Sequence, residues 1–198
     1  KEENKINIRK ALNKDIDVIA RYNYNLAYET ENKILDMNIL TKGVEAIIKD
    51  ENKGIYHVCE INGEVVGQIM YTFEWSDWRN GTFLWIQSVY VNKEFRGMGV
   101  FKALYKFIRD IADNDNNICG IRLYVEKENT IAKKTYKNIG MKECNYYIYE
   151  YDKKVTKDCQ YIIALHKNFF KSLDTIENIV IIGHSVSPVD RDYFIEVA

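Results

Sequence analysis

Apolar and polar residues alternate along INIRKA (6–11), the period of a strand. In KDIDVIARYNYNLAY (14–28) the apolar positions Ile16, Ile19, Ala20, Leu26 and Ala27 predict a helix, with Asn13 or Asp15 as its cap. NILTKGVEAIIKDE (38–51) predicts a second helix, capped by Thr41 or Asn38. In IYHVCEINGEVVGQIMYTFEW (55–75), Asn62-Gly63 between two apolar runs is a strong hairpin signal. A further hairpin turns through WSDWRNG (75–81) into the strand TFLWIQSVYV (82–91). A glycine turn and a helix over 99–112 follow. IRLYVEKEN (121–129) then reads as a strand, TIAKKTYKNIG (130–140) as a helix closed by Gly140, and YYIYEY (146–151) as a last strand. The order β-α-α-β-β-β-α-β-α-β is a mixed α/β fold, with antiparallel hairpins first and a β-α-β crossover later.

The segment carrying most chemistry is SVYVNKEFRGMGVFKALYKFI, residues 88–108. Strand, glycine turn and helix form a cradle for phosphate. Gly97 and Gly99 let the backbone approach an anion, and the first N–H groups of a helix lack acceptors of their own. The helix dipole adds favourable potential there. Neither GxxxxGK[ST] nor GxGxxG occurs. What stands there is Arg-x-x-Gly-x-Phe, from Arg96 to Phe101.

This turn resembles the R/Q-x-x-G-x-G/A signature of the GNAT superfamily of N-acetyltransferases, with Phe101 in place of the final Gly or Ala. The element order agrees with that fold, including its splayed central sheet. A second resemblance lies in NTIAKKTYKNIGM. It matches Asn-x-x-Ala-x-x-x-Tyr-x-x-x-Gly-Phe at Asn129, Ala132, Tyr136 and Gly140, with Met141 for Phe. The resemblance implies acetyl-CoA as cosubstrate, no metal, and an amine acceptor that is a small molecule or a peptide. It implies that the strand backbone of Val89, Tyr90 and Val91 pairs with the pantetheine arm. The backbone N–H groups of Arg96, Gly97, Met98, Gly99, Val100, Phe101 and Lys102 would hold the pyrophosphate, with Lys102 adding charge. Phe101 is expected to face the core. Asn129 would cap its helix or bond the arm, and Ala132 would leave room beside Tyr136.

Acetyl transfer to an amine requires the neutral amine as nucleophile and a proton for the departing thiolate. A tyrosine with a pKa of about 10 can supply that proton without ionising first, and Tyr136 is the expected general acid. Some members of the superfamily carry a glutamate on the strand before the glycine turn. Here the stretch reads Leu84-Trp85-Ile86-Gln87. A base would come from Glu29 or Glu31 at the end of the first helix, or from Glu74, or water would carry the proton. All three tryptophans stand between 75 and 85. Glu74, Trp75, Trp85 and Gln87 are candidate acceptor contacts, aromatics beside Glu74 and Asp77 suiting a cationic amine; for Trp85 packing on the sheet is the plainer reading. The WSDWRNG and WIQSVYV wording is similar to one bacterial branch of the superfamily.

Bulk properties narrow the classes. With 198 residues, 46% hydrophobic and 13% aromatic, the chain suits one globular domain with an appendage. A net charge of −1 offers no nucleic-acid-binding surface. No apolar run approaches the ~20 residues of a membrane span, and KEENKINIRKAL lacks the apolar core of a signal peptide. Cys59, Cys119, Cys144 and Cys159 stand singly, as reduced cytoplasmic cysteines would. His57, His166 and His184 are isolated, either structural or exposed.

The acetyltransferase pattern covers about 1–152 and leaves an extension over 153–198, predicted as an amphipathic helix (157–173) and a buried strand entering a turn (178–194). GHSVS (183–187) is not a nucleophile elbow, because Ser187 replaces the last glycine and no histidine follows. IIGHSVSPVDRDYF resembles instead the C-terminal segment of AbiH-type phage abortive-infection proteins. The extension is too small to fold alone and is expected to dock on the first domain or to mediate self-association as a homodimer. The alternative function is a non-catalytic coenzyme-A-binding or protein-interaction module linked to phage defence.

Overall fold

The structure, a computed structural model, describes residues 5–149. Asn62 (φ 53°) and Gly63 (φ 83°) both take the left-handed backbone, so β2 (Ile55–Ile61) turns directly into β3 (Glu64–Ser76). β3 turns at 77–80, with Asn80 also left-handed, into β4 (Gly81–Val91). With β1 (Ile6–Lys10) before and β5 (Ile118–Leu123) after, these strands form one sheet in the order β1-β2-β3-β4-β5. The first four run antiparallel, and β5 lies parallel to β4. The mixed α/β fold expected from the sequence is therefore present.

Helices cover both faces. On one side α3 (Val100–Asn114) lays Val100, Leu104 and Ile108 onto Cys59, Ile69, Leu84 and Ile86, all at or below 4% exposure. The spacing of four is what an amphipathic helix needs to bury one stripe. Gly67 has no side chain because a Cβ there would stand 3.0 Å from both the Tyr90 carbonyl and Val100. On the other side α1 (Ile16–Glu31) and α2 (Met37–Lys49) pack Ile19, Ala20 and Val44 against Tyr56 and Val58. A fourth helix, α4 (Thr130–Asn138), is capped by Asn129 Oδ1 accepting the Ala132 N–H at 2.9 Å. Gly140 (φ 92°) closes it.

Three expectations change. The cap of α2 is Asp36, whose carboxylate accepts the N–H groups of Asn38 (2.7 Å) and Ile39 (3.4 Å); Asn38 and Thr41 lie inside the helix. β5 occupies 118–123 rather than 121–129, and residues 124–129 form the entry to α4. The described part of the last strand, Tyr146–Tyr149, pairs with no strand among the described residues and is 63–94% exposed. Its apolar run has strand character, and strand formation needs a neighbour to bond. Residues 150–151, and the helix and strand expected in 153–198, lie outside the described residues. Two compact units divide the chain, Lys1–Glu143 and Cys144–Ala198.

His57 sits on β2 at 6% exposure, between the rings of Tyr71 (5.9 Å) and Phe107 (4.9 Å), and its Nδ1 has no partner among the described residues. Burial, assisted by the charge of Lys10, pushes its pKa down to about 4 from 6.5. The unfolded chain then takes up a proton near pH 6.5 that the folded chain refuses until about pH 4. The stability this group contributes is present above pH 6.5 and lost as pH falls toward 4, up to about 3 kcal/mol. The lowered carboxylates Asp15, Glu29 and Glu60 start from ordinary values of 3.8–4.5 and act mainly below that window. Denaturant midpoints measured between pH 7 and 4.5 should therefore fall in the wild type and stay flatter in His57→Leu. Equal loss in both would refute the assignment.

Candidate functional site

The site begins where β4 and β5 part. Their pairing runs from Thr82↔Ile118 to Ile86↔Leu123, and β4 then continues to Val91 bonded only to β3. At the same level the β3–β4 register shifts: Met70 faces Ser88 and Tyr71 faces Ile86, so Gln87 is an inserted residue. Such a bulge bends its strand and increases the local twist. The splay expected of the sheet is thus centred on Gln87, and Val89, Tyr90 and Val91 lie along the strand edge left without β5.

The glycine turn follows directly. After a single 3-10 turn (Lys93–Phe95), Gly97 (φ 79°) and Gly99 (φ 82°) are both left-handed. A Cβ at either would meet no atom within 4 Å, so backbone conformation rather than crowding demands glycine. The bond from the Ala103 N–H to the Gly99 carbonyl (2.9 Å) opens α3. The N–H groups of Val100, Phe101 and Lys102 therefore have no acceptor within the helix. Gly97, Met98, Gly99 and Lys102 are exposed. The left-handed glycines thus leave these N–H groups at the end of an exposed turn.

Phe101 packs against the α3-side core, as expected, and its ring also lies 6.4 Å from Tyr105 and 6.0 Å from Tyr136. The glycine turn and α4 are joined through this contact. Burial raises the Tyr136 pKa above 10, so its phenol stays protonated through the neutral range. Asn129 Oδ1 is occupied by its cap, which leaves the amide Nδ2 to donate outward.

Glu29 reaches the turn from α1. Its carboxylate accepts from Tyr90 Oη (2.8 Å) and Arg96 Nη2 (2.7 Å), with Lys93 Nζ at 3.4 Å. Arg96 also donates through Nε to the Val91 carbonyl (3.0 Å), and its guanidinium lies 5.4 Å from the Tyr90 ring centre. Burial by itself would raise the Glu29 pKa, but the bonds from Arg96 and Tyr90 outweigh it and hold the carboxyl below its ordinary value. Glu31 is half-exposed and paired with Lys33.

The face of the sheet carrying α1 and α2 holds the remaining candidates. Glu74 bonds Arg122 across β4, and Gln87 Nε2 donates to Thr72 Oγ1 at 3.0 Å. The Arg122 guanidinium stands 3.8 Å from the Phe83 ring centre and 5.7 Å from that of Trp85, whose ring meets Tyr124 at 4.8 Å. Glu74, Trp85 and Gln87 thus stand in one neighbourhood. Trp75, one residue on from Glu74, turns to the opposite face with Phe73 and is 61% exposed. Trp85 packs on the sheet, the plainer of its two readings. Sequence reasoning missed Arg122, Thr72 and Tyr124. The one available signal was an arginine inside an otherwise apolar strand. Among the described residues no cluster of His, Cys, Asp or Glu could hold a metal ion, and no helix is long and apolar enough to cross a membrane.

The acetyltransferase (GNAT) family model matches residues 21–141. The chain is 35% identical over 88 residues to an uncharacterised N-acetyltransferase of Methanocaldococcus jannaschii, a match covering 44% of this chain and 53% of that protein. It is 32% identical over 79 residues to a thialysine N-epsilon-acetyltransferase of Bos taurus, covering 40% and 45% respectively. The chain spans about half the length of these curated relatives. Among solved structures, a possible acetyltransferase from Clostridium difficile 630 is 60% identical, with a TM-score of 0.73, covering 75% of this chain and 98% of that one.

Proposed function

The chain belongs to the acetyltransferase (GNAT) family, and on that premise we propose that it transfers acetyl from acetyl-CoA to a primary amine by direct attack in a ternary complex. The parting of β4 from β5 beside the open glycine turn carries this reading. The free edge of β4 from Val89 to Val91 would pair with the pantetheine arm as an added strand does. The turn and the first N–H groups of α3 would hold the pyrophosphate, with Lys102 adding charge. Asn129 Nδ2 would donate to the arm.

Tyr136 is proposed as the proton donor to the departing thiolate. Its half-buried phenol remains neutral, and its ring lies 6.0 Å from that of Phe101 on α3. Glu29 is a poor proton acceptor here. Two strong hydrogen bonds stabilise its ionised form, so it has little tendency to take a proton from an amine. We assign it instead to positioning Arg96. Glu31, paired with Lys33, lacks any bond that directs it toward the turn, and water in the open cleft would carry the amine proton away.

The alternative of a coenzyme-binding or interaction module without a reaction is disfavoured, because the family matched and the relatives named above are acetyltransferases. The AbiH-like segment that suggested a defence role lies outside the described residues.

Two measurements test this reading. Tyr136→Phe should lower kcat for acetyl transfer by about a hundredfold, the lower end of general-acid contributions, with KM for acetyl-CoA nearly unchanged. An unaltered kcat would remove Tyr136 from the chemistry. Glu29→Gln should raise KM for acetyl-CoA by about tenfold, the loss of one charged hydrogen bond, and leave the acid limb of the kcat–pH profile in place. Disappearance of that limb would restore Glu29 as the base.

A further inference from the structure

We propose that Gln87 meets the attacking amine. Its side-chain carbonyl oxygen accepts one N–H of the acceptor nitrogen and leaves the lone pair facing the acetyl carbon, while Thr72 fixes the amide in place. This rests on the acetyltransferase reading and names a residue that handles its second substrate.

The bulge puts Gln87 where it can do this. Side chains normally alternate between the faces of a strand. Here Trp85 stands opposite Thr72 and Ser88 opposite Met70, so the inserted Gln87 lies between them, and its bond to Thr72 draws it to that same face. The other face is closed, because Leu84 and Ile86 are buried against Val100, Leu104 and Ile108 of α3. A nitrogen approaching an acetyl group on the free edge of β4 must therefore come from the face that carries Gln87.

Other polar groups on that face are already bonded or covered. Tyr56 Oη accepts from Asn23 Nδ2 at 2.9 Å, and Asn23 Oδ1 accepts from Gln68 Nε2 at 2.7 Å. Tyr90 is bonded to Glu29, and Glu74 to Arg122. Ser88 Oγ and Trp85 Nε1 have no partner among the described residues but are buried out of a ligand's reach. Gln87 is exposed. Its Nε2 donates to Thr72 Oγ1 at 3.0 Å, and among the described residues nothing donates to its Oε1. Thr72 stands within β3 and is β-branched, hence stiff, so it holds the amide by its nitrogen and leaves the oxygen for a ligand.

An amide suits a nucleophile that must be uncharged. Its oxygen accepts an N–H but takes no proton. A carboxylate in its place would favour the ammonium form, which has no lone pair to attack with. In the transfer, the nitrogen bonds the acetyl carbon as the carbon–sulfur bond breaks. The nitrogen gives its proton to water, and the leaving thiolate takes one from Tyr136, which regains it from solvent.

Two analogues of the ternary complex test the proposal without a chosen acceptor. Both are coenzyme A alkylated on sulfur by a carbonylmethyl group, closed as an N-butyl amide in one and as the butyl ester in the other. The amide carries an N–H near the position of the attacking nitrogen, and the ester carries an oxygen there. The wild type should bind the amide about tenfold more tightly than the ester, the worth of one N–H hydrogen bond. In Gln87→Leu the preference for the amide should disappear. Thr72→Val should lower it part of the way, and Thr72→Ser should retain it. The ratio of the two dissociation constants is internal to one protein preparation, so partial misfolding does not imitate the result. Equal binding of amide and ester by the wild type would overturn the Gln87 assignment and leave the acetyltransferase reading standing. So would an unchanged ratio in Gln87→Leu. Failure of the wild type to bind either analogue, or coenzyme A itself, would overturn both.

Discussion

The proposed cofactor site depends on one interruption of hydrogen bonding. β4 and β5 are parallel neighbours as far as Ile86 and Leu123, and beyond them, among the described residues, β4 is paired on its β3 side alone. An unpaired strand edge is a standing template for another extended chain. The inserted residue Gln87 sets where the separation begins, because it shifts the register against β3 at Met70 and Tyr71. β5 contributes by ending: after Leu123 the chain turns through 124–129 into α4, which Asn129 caps. The edge, the glycine turn after Val91 and the start of α4 consequently open at the same end of the sheet. No one of these features would form a site without the others.

Phe101 shows how a departure from a motif can be absorbed. A glycine or alanine would leave the first turn of α3 bare. The phenylalanine turns inward and brings its ring to Tyr136, 6.0 Å away, while its N–H stays at the unsatisfied start of the helix. An anion held by backbone groups does not meet the side chain. The substitution therefore costs the cradle nothing and gives α4 an apolar buttress beside its tyrosine. Partial burial of Tyr136 raises its pKa and keeps the phenol protonated.

What could be read from the sequence follows the range of the interactions. Positive-φ positions are local, so Asn62-Gly63, Gly97, Gly99 and Gly140 announced their turns through residue type alone. Periodicity located the four α-helices of the described residues because burial of one stripe is a property of consecutive residues. The cap of α2 was misplaced because Asp36, Asn38 and Thr41 are all good caps, and the first in the chain captured two N–H groups. The Tyr146–Tyr149 run marks another limit: strand propensity is local, but strand formation needs a neighbour, and none stands among the described residues. The site suffered most. Glu29 finds Tyr90 and Arg96 across 61 and 67 residues, and Arg122 finds Glu74 across 48. Glu29, Glu74 and Arg96 were candidates in the sequence, but their pairings were not legible there, and Arg122 was missed altogether.

These pairings also decide how the glycine turn can bind an anion. Arg96 is held before any ligand arrives, by the Glu29 carboxylate, the Val91 carbonyl and the face of Tyr90. Fixing the side chain in advance lowers the ordering cost of binding. Yet Glu29 offsets much of the charge that Arg96 would bring, and the nearby Lys93 is itself 3.4 Å from the same carboxylate. The guanidinium is thus better placed to brace the turn than to attract phosphate from a distance. Attraction must come mainly from the unpartnered N–H groups of Val100, Phe101 and Lys102 and from the helix dipole behind them. That division explains why the two left-handed glycines matter more to the cradle than the arginine beside them. Without them the chain cannot aim those N–H groups outward, whatever cations stand nearby.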